Sequence, residues 1–387
     1  MTAPVPWPPP AWGPQPARRR SWMVGLAATV LGLGAVGLAG LIVVAGGPEA
    51  ALVGFVLAAV PVPLLVAVFL WLDRYEPEPW RYLTTALGWG AVMATTLGVA
   101  FTALGSHLSG SSARLDGVVW APLTEEMAKG LFIVLIVLLR RHELDGLLDG
   151  IVYAGMVGVG FAFTENVLYY VWAYNGGVAQ PGGLGAATGL FILRGVMSPF
   201  AHPLFTSAVG IGMGLALHAR RPAMRVLWPL LGYAVAVGLH AAWNGSAMLG
   251  GGAAFLLTYA SGMVPAFALL VVLALWVRRR EGRVLITALD DCARRGWLHP
   301  AELPWIASLS HRATARVYAR RLRGPLAARA VREYQHAVAE MGFLHDRVMR
   351  GRAPRDAAHR HGDIRRRMAM WRPHVVLPPP LPPAYPT

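Results

Sequence analysis

The sequence contains a single cysteine, Cys292, and a single lysine, Lys129, and only 14% of its 387 residues are charged. One cysteine excludes an internal disulfide framework and a metal site built from several cysteines. The low content of charged residues argues against an ordinary soluble domain. So do the 55% of residues that are hydrophobic and the positive mean hydropathy. This composition is typical of an integral membrane protein.

Acidic residues are also scarce, which leaves a net charge of +15. From Arg278 onward there are 22 arginines and 9 acids, so 22 − 9 = 13 of these charges lie in the tail. A basic segment after a membrane domain predicts a cytoplasmic tail near anionic lipid, rather than a nucleic-acid-binding protein.

Eight apolar runs each approach the ~20 residues that cross a bilayer. Arginine is concentrated in alternate loops, so the positive-inside rule predicts that both termini are cytoplasmic, in a multi-pass protein of the cell membrane. We expect an all-α bundle of about eight transmembrane helices. The runs are Trp22–Ala45, Ala50–Leu72, Leu83–Leu104, Val118–Leu139, Gly150–Tyr174, Leu190–Leu217, Val226–Leu249 and Ala253–Val277.

Composition divides the chain into four parts. Residues 1–20 are proline-rich and expected to be disordered, and residues 21–277 form the transmembrane domain. Residues 278–350 show helical periodicity and predict a small basic cytoplasmic unit, and residues 351–387 are expected to be a disordered C-terminus. Arginines at helical spacing in the third part predict a solvated or lipid-facing surface. They are Arg312, Arg316, Arg320 and Arg323.

The segment Ala121–Lys129 places charge inside an apolar run. Glu125 and Glu126 are adjacent, and Lys129 lies four and three residues later, on the same face of a helix. Ionisable groups at such depth are costly, and they are usually paired and functional. A buried ion pair that only fixes helix packing is the structural alternative.

Four further ionisable residues lie inside apolar runs: Glu165, Arg194, His202 and His240. At ~1.5 Å per residue, Glu125, Glu165 and His240 lie about 10 to 13 Å from the outer ends of their helices, and His202 lies near the midplane. We therefore expect one polar layer. Arg194, near the outer boundary, is expected to extend to the headgroups.

The neighbours of these residues add to the pattern. Pro199 and Pro203 flank His202 and predict a kink. Asn244 shares a helical face with His240 at i+4. Asp149, at the start of its helix, is expected to cap it.

Buried acids and imidazoles in one layer favour a hydrolase of the zinc type. Imidazoles and a carboxylate bind zinc, another carboxylate accepts a proton from water, and Asn244, Asn166 or Lys129 can donate to an oxyanion. The soluble His-Glu-x-x-His motif is absent, so the ligands would come from separate helices. Two alternatives remain, a proton-coupled transporter or channel and a non-catalytic scaffold.

Several motifs together resemble the PrsW family of intramembrane proteases, which is distantly similar to CAAX prenyl proteases and bacteriocin-processing enzymes. The resemblance covers about Trp22–Val277. The motifs are Glu125-Glu126-x-x-Lys129, Asp149-Gly150, Phe161-x-x-x-Glu165-Asn166, His202, His240-x-x-Trp243-Asn244 and the charged loop Asp73 to Pro79.

The resemblance implies a membrane-embedded endopeptidase that cleaves membrane proteins with a transmembrane segment, anti-sigma factors being the known type. It implies catalytic roles for Glu125, Glu126, Lys129 and Asn244. Zinc, or another metal, is expected on His202 and His240, with Glu165 as a possible third ligand, although relatives have histidine at that position. Which of the paired glutamates is the base, and the oligomeric state, stay open.

Overall fold

The computed structural model describes residues 21–140, 143–144, 146–177, 181–249, 251–354 and 356–379. These residues form helices joined by short turns, with no β-strand among them. Seven helical segments of this part are long and apolar enough to cross a membrane. The all-α polytopic bundle expected from the sequence is therefore confirmed.

Two compact units can be distinguished. Among the described residues, the membrane unit comprises residues 21–73 and 78–275, and the tail unit comprises residues 74–77 and 276–379. Residues 1–20 and 380–387, for which we expect disorder, lie outside the described residues.

The helices of the membrane unit begin and end close to the predicted runs, and π-helical turns interrupt several of them. The α-helices are α1 (Ser21–Gly46), α2 (Pro48–Ala59), α3 (Val62–Leu72), α4 (Trp80–Gly88), α5 (Thr95–Ser109), α6 (Ala113–Leu115), α7 (Ala121–Arg140), α8 (Leu147–Tyr174), α9 (Gly183–Phe191), α10 (Ala201–His218), α11 (Pro222–Leu249), α12 (Gly251–Thr258) and α13 (Val264–Arg294). The π-helical segments are Trp89–Ala94, Asp116–Trp120, Ile192–Met197 and Tyr259–Met263.

Helix α7 corresponds to the fourth predicted span but is not among the seven apolar segments. Its length matches a span, yet Glu125, Glu126 and Lys129 interrupt its apolar character. The helix that carries the predicted catalytic motif therefore departs from the apolar character of the other spans.

Helix α8 is buried along most of its length and forms the centre of the membrane unit. Glycine allows its neighbours to approach closely, as small residues do in membrane bundles. A Cβ on Gly158 would lie 2.7 Å from Pro203 Cα of α10, and one on Gly150 would lie 2.2 Å from the Gly210 carbonyl oxygen. This close packing sets α10, with His202, directly against α8, with Glu165.

The predicted kink before His202 is confirmed. The π-helical segment ends at Met197, residues 198–200 are not helical, and α10 begins at Ala201. His202 therefore lies in the first turn of α10. Pro203, which follows it, is tolerated there because a backbone N–H at this position would have no acceptor within the helix. Asp149 accepts a hydrogen bond from Gly146 N (2.8 Å), which confirms the predicted cap of α8.

The tail unit contains longer helices than the sequence indicates. Helix α13 continues past the predicted end at Val277 to Arg294, followed by α14 (Leu303–Ala307), α15 (Leu309–Met349) and α16 (Ala357–Trp371). Disorder was expected for residues 351–387, and for α16 this expectation is wrong, because Ile364 is buried in the core of the unit.

The expectation of a solvated arginine stripe is also wrong in part. Arg312 is 2% exposed, and its guanidinium donates to the carbonyl oxygens of Ile306 (2.5 Å) and Tyr75 (3.3 Å). Arg316 Nε donates to Gln335 Oε1 at 2.8 Å. Helical spacing places these side chains on one face, but packing within the unit determines which of them are buried.

Candidate active site

Four helices of the membrane unit contribute the predicted polar layer: α7, α8, α10 and α11. Their ionisable side chains contact one another directly. The sequence-based expectation of one layer is therefore confirmed for the following residues: Glu125, Glu126, Lys129, Glu165, His202 and His240.

Glu126 has no solvent exposure, and both of its carboxylate oxygens have partners. Oε1 accepts from Lys129 Nζ at 2.7 Å and lies 3.0 Å from His240 Nδ1. Oε2 accepts from Thr206 Oγ1 at 3.2 Å. A buried charge with this many donors is well compensated, so Glu126 joins α7, α10 and α11.

Lys129 is also fully buried, and its ammonium lies among several site residues. Nζ is 2.7 Å from Glu126, 3.8 Å from Glu125 and 3.2 Å from His202 Nδ1. It also lies 3.8 Å from the centroid of the Phe161 ring, a cation–π arrangement. A compact ammonium fits this position, where a planar guanidinium would need more space.

Glu125 differs from Glu126 because its Oε2 is buried but has no hydrogen-bond partner. His240 Nε2 has none either, and these two atoms are 3.8 Å apart. Gly98 of α5 packs against this glutamate, since a Cβ at Gly98 would lie 2.9 Å from Glu125 Cγ. Buried polar atoms without partners are rare and require an explanation.

His202 is held from both ring nitrogens. Nε2 lies 2.7 Å from Glu165 Oε2, and Nδ1 lies 3.2 Å from Lys129 Nζ. Because an ammonium can only donate, Nδ1 is the acceptor and the Nε2 proton is donated to Glu165. Each histidine of the layer therefore has its own carboxylate, Glu165 for His202 and Glu126 for His240.

The expectation that Arg194 extends to the headgroups is wrong. Its guanidinium donates to the Glu165 carboxylate and, through Nε, to Asn166 Oδ1 at 2.7 Å. It also stacks over the Tyr169 ring at 4.0 Å. The π-helical segment Ile192–Met197 carries this arginine toward α8, a change of direction that sequence periodicity does not reveal.

Thr206 is a second site residue that the sequence analysis missed. It lies four residues after His202, so the two side chains share one face of α10. That spacing was a usable signal, because a polar residue on the same face as an intramembrane histidine is a candidate partner.

Asn244, expected among the catalytic residues, has a different contact. Its Nδ2 donates to the Gly117 carbonyl oxygen at 2.8 Å, in the π-helical segment Asp116–Trp120 that precedes α7. The amide therefore connects α11 to the start of the helix that carries Glu125.

Among the described residues, one group has the composition of a metal site: Glu125, His202 and His240, with one possible ligand atom from each lying within 4.8 Å of the others. Two of the three side chains carry the partnerless buried atoms, which a cation would satisfy. Both histidines have a carboxylate on the second nitrogen, as is usual for histidine ligands. The donor set therefore fits a divalent cation such as zinc. Glu165, named above as a possible third ligand, is outside this group.

The chain is also similar to known proteins in the region that contains this site. A family model described as "PrsW family intramembrane metalloprotease" matches residues 78–277, which include all the site residues above. "Protease PrsW" of Geobacillus kaustophilus is 27% identical over 164 residues, covering 42% of this chain and 67% of the relative. "Protease PrsW" of Bacillus subtilis is 26% identical over 180 residues, covering 46% and 76%. No solved structure matches the chain.

Proposed function

The chain belongs to the PrsW family of intramembrane metalloproteases, and from this premise we propose that it hydrolyses a peptide bond in the transmembrane segment of another membrane protein. Single-span proteins of the anti-sigma-factor type are the proposed substrates, as the family resemblance implies. The protein is multi-pass. We place it in the cytoplasmic membrane with both termini in the cytoplasm, because arginine is concentrated in alternate loops.

One observation carries the proposal. In a layer where the other charged groups are hydrogen-bonded, Glu125 Oε2 and His240 Nε2 lie 3.8 Å apart and neither makes a hydrogen bond, the nearest cation to Glu125 being Lys129 Nζ at 3.8 Å. A purely structural polar layer has no reason to leave two buried groups unsatisfied, since each costs about 1–3 kcal/mol. A reacting water, a substrate carbonyl or a cation would supply the missing partner.

His202 and His240 would hold the cation, for which we propose zinc, with a carboxylate oxygen of Glu125 within 4.8 Å of their ligand nitrogens. When bound, a divalent ion polarises a carbonyl oxygen and lowers the pKa of a coordinated water. On His240 the nitrogen that would face the cation is Nε2, since Glu126 contacts Nδ1. On His202 it is Nδ1, since Glu165 contacts Nε2, and the cation would there replace the contact with Lys129 Nζ.

The remaining residues orient the two imidazole rings and balance the charge of the site. Glu126 holds the His240 ring, and Glu165, which is itself held by Arg194, holds the His202 ring. Lys129 keeps a positive charge 3.8 Å from Glu125, where negative charge develops during attack on a carbonyl. Asn244 positions the segment before α7 through Gly117.

Glu125 is the carboxylate that accepts a proton from the attacking water. The two other acids of the layer are committed, Glu126 to three donors and Glu165 to His202 and Arg194. Glu125 combines an unpartnered oxygen with a side chain that is 13% exposed, against 0% for Glu126. These different environments support Glu125 over Glu126 as the base, a choice that the sequence leaves open.

The test is cleavage of a single-span reporter in cells that express the wild type, Glu125→Gln or His240→Ala. Glu49→Gln is the matched control, because Glu49 bonds Tyr174 and contacts none of the site residues. We expect a shortened fragment with the wild type and the control. Loss of a general base predicts a decrease of about 10²- to 10⁴-fold for Glu125→Gln. Full cleavage by Glu125→Gln would refute the assignment.

Metal binding has its own readout. Elemental analysis of the purified wild type is expected to give a stoichiometric divalent metal, and His240→Ala is expected to lose it. A metal-free wild type that still cleaves the reporter would exclude the proposed cofactor while leaving the polar layer as the reaction site.

A further inference from the structure

The longest helix of the tail unit, α15, is a helical hairpin. Its backbone leaves helical geometry at Arg323 (φ −134°, ψ 16°) and Gly324 (φ 80°, ψ −170°), and Pro325 follows. Glycine adopts a positive φ without strain, and proline is suited to the first turn of the next helix. The sequence Arg-Gly-Pro therefore reverses the chain, and we name residues 317–329 the hairpin tip.

The two halves of the hairpin pack against each other. Ala315 and Ala319 of the first half share a buried cluster with Ala327 and Val331 of the second. Gln335 Nε2 donates to the Arg312 carbonyl oxygen at 3.3 Å, which joins the halves further from the turn. The hairpin tip is therefore presented by a packed scaffold.

Three aliphatic side chains at the tip remain exposed: Val317 (50%), Leu322 (59%) and Leu326 (58%). The hairpin buries small alanines between its halves and directs these larger side chains outward. Large aliphatic side chains left exposed around one turn favour an interaction site.

The same surface is strongly basic. From Leu309 to Arg332 the sequence has seven arginines and no acidic residue. Arg320, Arg321 and Arg323 are exposed and form no ion pair with any described residue. Two exposed arginines elsewhere in the tail unit do pair with an acidic residue of the same helix, Arg294 with Asp290 and Arg350 with Asp346.

We propose that the hairpin tip docks on the anionic headgroups of the membrane that the chain spans. Arginines with interspersed leucines are the composition of interfacial membrane-binding helices, where the charges contact phosphate and the aliphatic groups enter the headgroup boundary. A bilayer fits both features, whereas an acidic protein surface would satisfy only the charges. Because the chain is already membrane-bound, the docking is intramolecular and needs little intrinsic affinity.

The test uses the full chain in lipid nanodiscs with an environment-sensitive fluorophore on Leu326→Cys. The native Cys292 is fully buried, and the unsubstituted chain controls for its labelling. Met370→Cys, which replaces an equally exposed side chain (58%) on α16, is the matched control position. Discs of phosphatidylcholine alone are compared with discs that also contain phosphatidylglycerol.

We expect a blue-shifted emission at position 326 in the anionic discs only, with no shift at position 370. High salt is expected to reverse the shift. Replacing Arg320, Arg321 and Arg323 by glutamine is expected to lower the ratio of docked to undocked tip on the order of 100-fold, at about fivefold per arginine. These side chains are exposed, so thermal unfolding of the triple variant is expected to match that of the wild type.

Three outcomes would overturn the proposal. Emission at position 326 that is equal in both discs would show that anionic lipid is not recognised. An equal shift at position 370 would show that the contact is not specific to the tip. An unchanged shift in the triple variant would remove the arginines from the interaction.

Discussion

Replacing Glu126 by glutamine should destabilise the membrane unit more than any other conservative change in the polar layer. The substitution keeps the shape of the side chain but removes its charge. Glu126 and Lys129 are both fully buried, with Nζ 2.7 Å from Oε1. Removing one member of a buried ion pair costs about 3–5 kcal/mol, because the other charge stays buried without compensation.

The structure also sets the comparison that makes this magnitude testable. Glu125 Oε2 makes no hydrogen bond and lies 3.8 Å from Lys129. Glu125→Gln should therefore change stability by less than about 1 kcal/mol, the range of a weak ion pair. Lys129→Met combined with Glu126→Gln removes both buried charges, and the double variant should be more stable than the sum of the single effects predicts, by about 2 kcal/mol.

The assay is equilibrium unfolding of the purified variants in mixed detergent micelles, read by circular dichroism. The loss of stability should rank Glu126→Gln above Glu125→Gln, whereas cleavage should be lost in both. Equal stability of Glu126→Gln and wild type would refute the argument. So would an additive double variant, since the two side chains would then not be energetically coupled.

Three further predictions concern other parts of the chain. Arg194→Lys and Arg194→Gln should each reduce cleavage by about 10- to 100-fold, because only the guanidinium group can donate to both Glu165 and Asn166. Full activity of the lysine variant would contradict this prediction. Burial, reinforced by the charge of Arg316, lowers the pKa of His336 from 6.5 to about 4, so the unfolded chain binds the proton first. The free energy of unfolding of the tail unit should be highest above pH 6.5 and should fall by on the order of 3 kcal/mol as the pH drops toward 4. Hydrogen exchange should measure this decrease in the wild type and a smaller decrease in His336→Gln. The depth of the polar layer predicts a cut in the extracytoplasmic half of the substrate helix, and mass spectrometry that maps the cut to the cytoplasmic half would contradict it.

Much of the membrane architecture could be predicted from local properties. Apart from the end of α13, apolar run length predicted the spans of the membrane unit within several residues, because a bilayer requires about 20 apolar residues per span and every backbone group must be bonded within the helix. Counting residues from the helix ends also predicted that Glu125, Glu165, His202 and His240 would share one layer. The depth of a residue in the membrane depends mainly on its distance along its helix from the helix end, and this distance can be counted in the sequence.

The sequence did not distinguish partners within that layer. Glu125 and Glu126 are adjacent and chemically identical, and only the packing of α10 and α11 against α7 gives one of them three donors and leaves the other an unpartnered oxygen. Arg194 turns inward because a π-helical segment rotates it toward Glu165.

The same division holds in the tail unit. Helical spacing placed Arg312 and Arg320 on one stripe, yet Arg312 is buried against backbone carbonyls and Arg320 is exposed at the hairpin tip. Spacing along one helix reports which residues share a face, and hydropathy reports how deep they lie. Which face meets which neighbour depends on contacts between residues far apart in the chain, so the partners of Glu126, the inward direction of Arg194 and the exposure of Arg320 were decided by the tertiary structure alone.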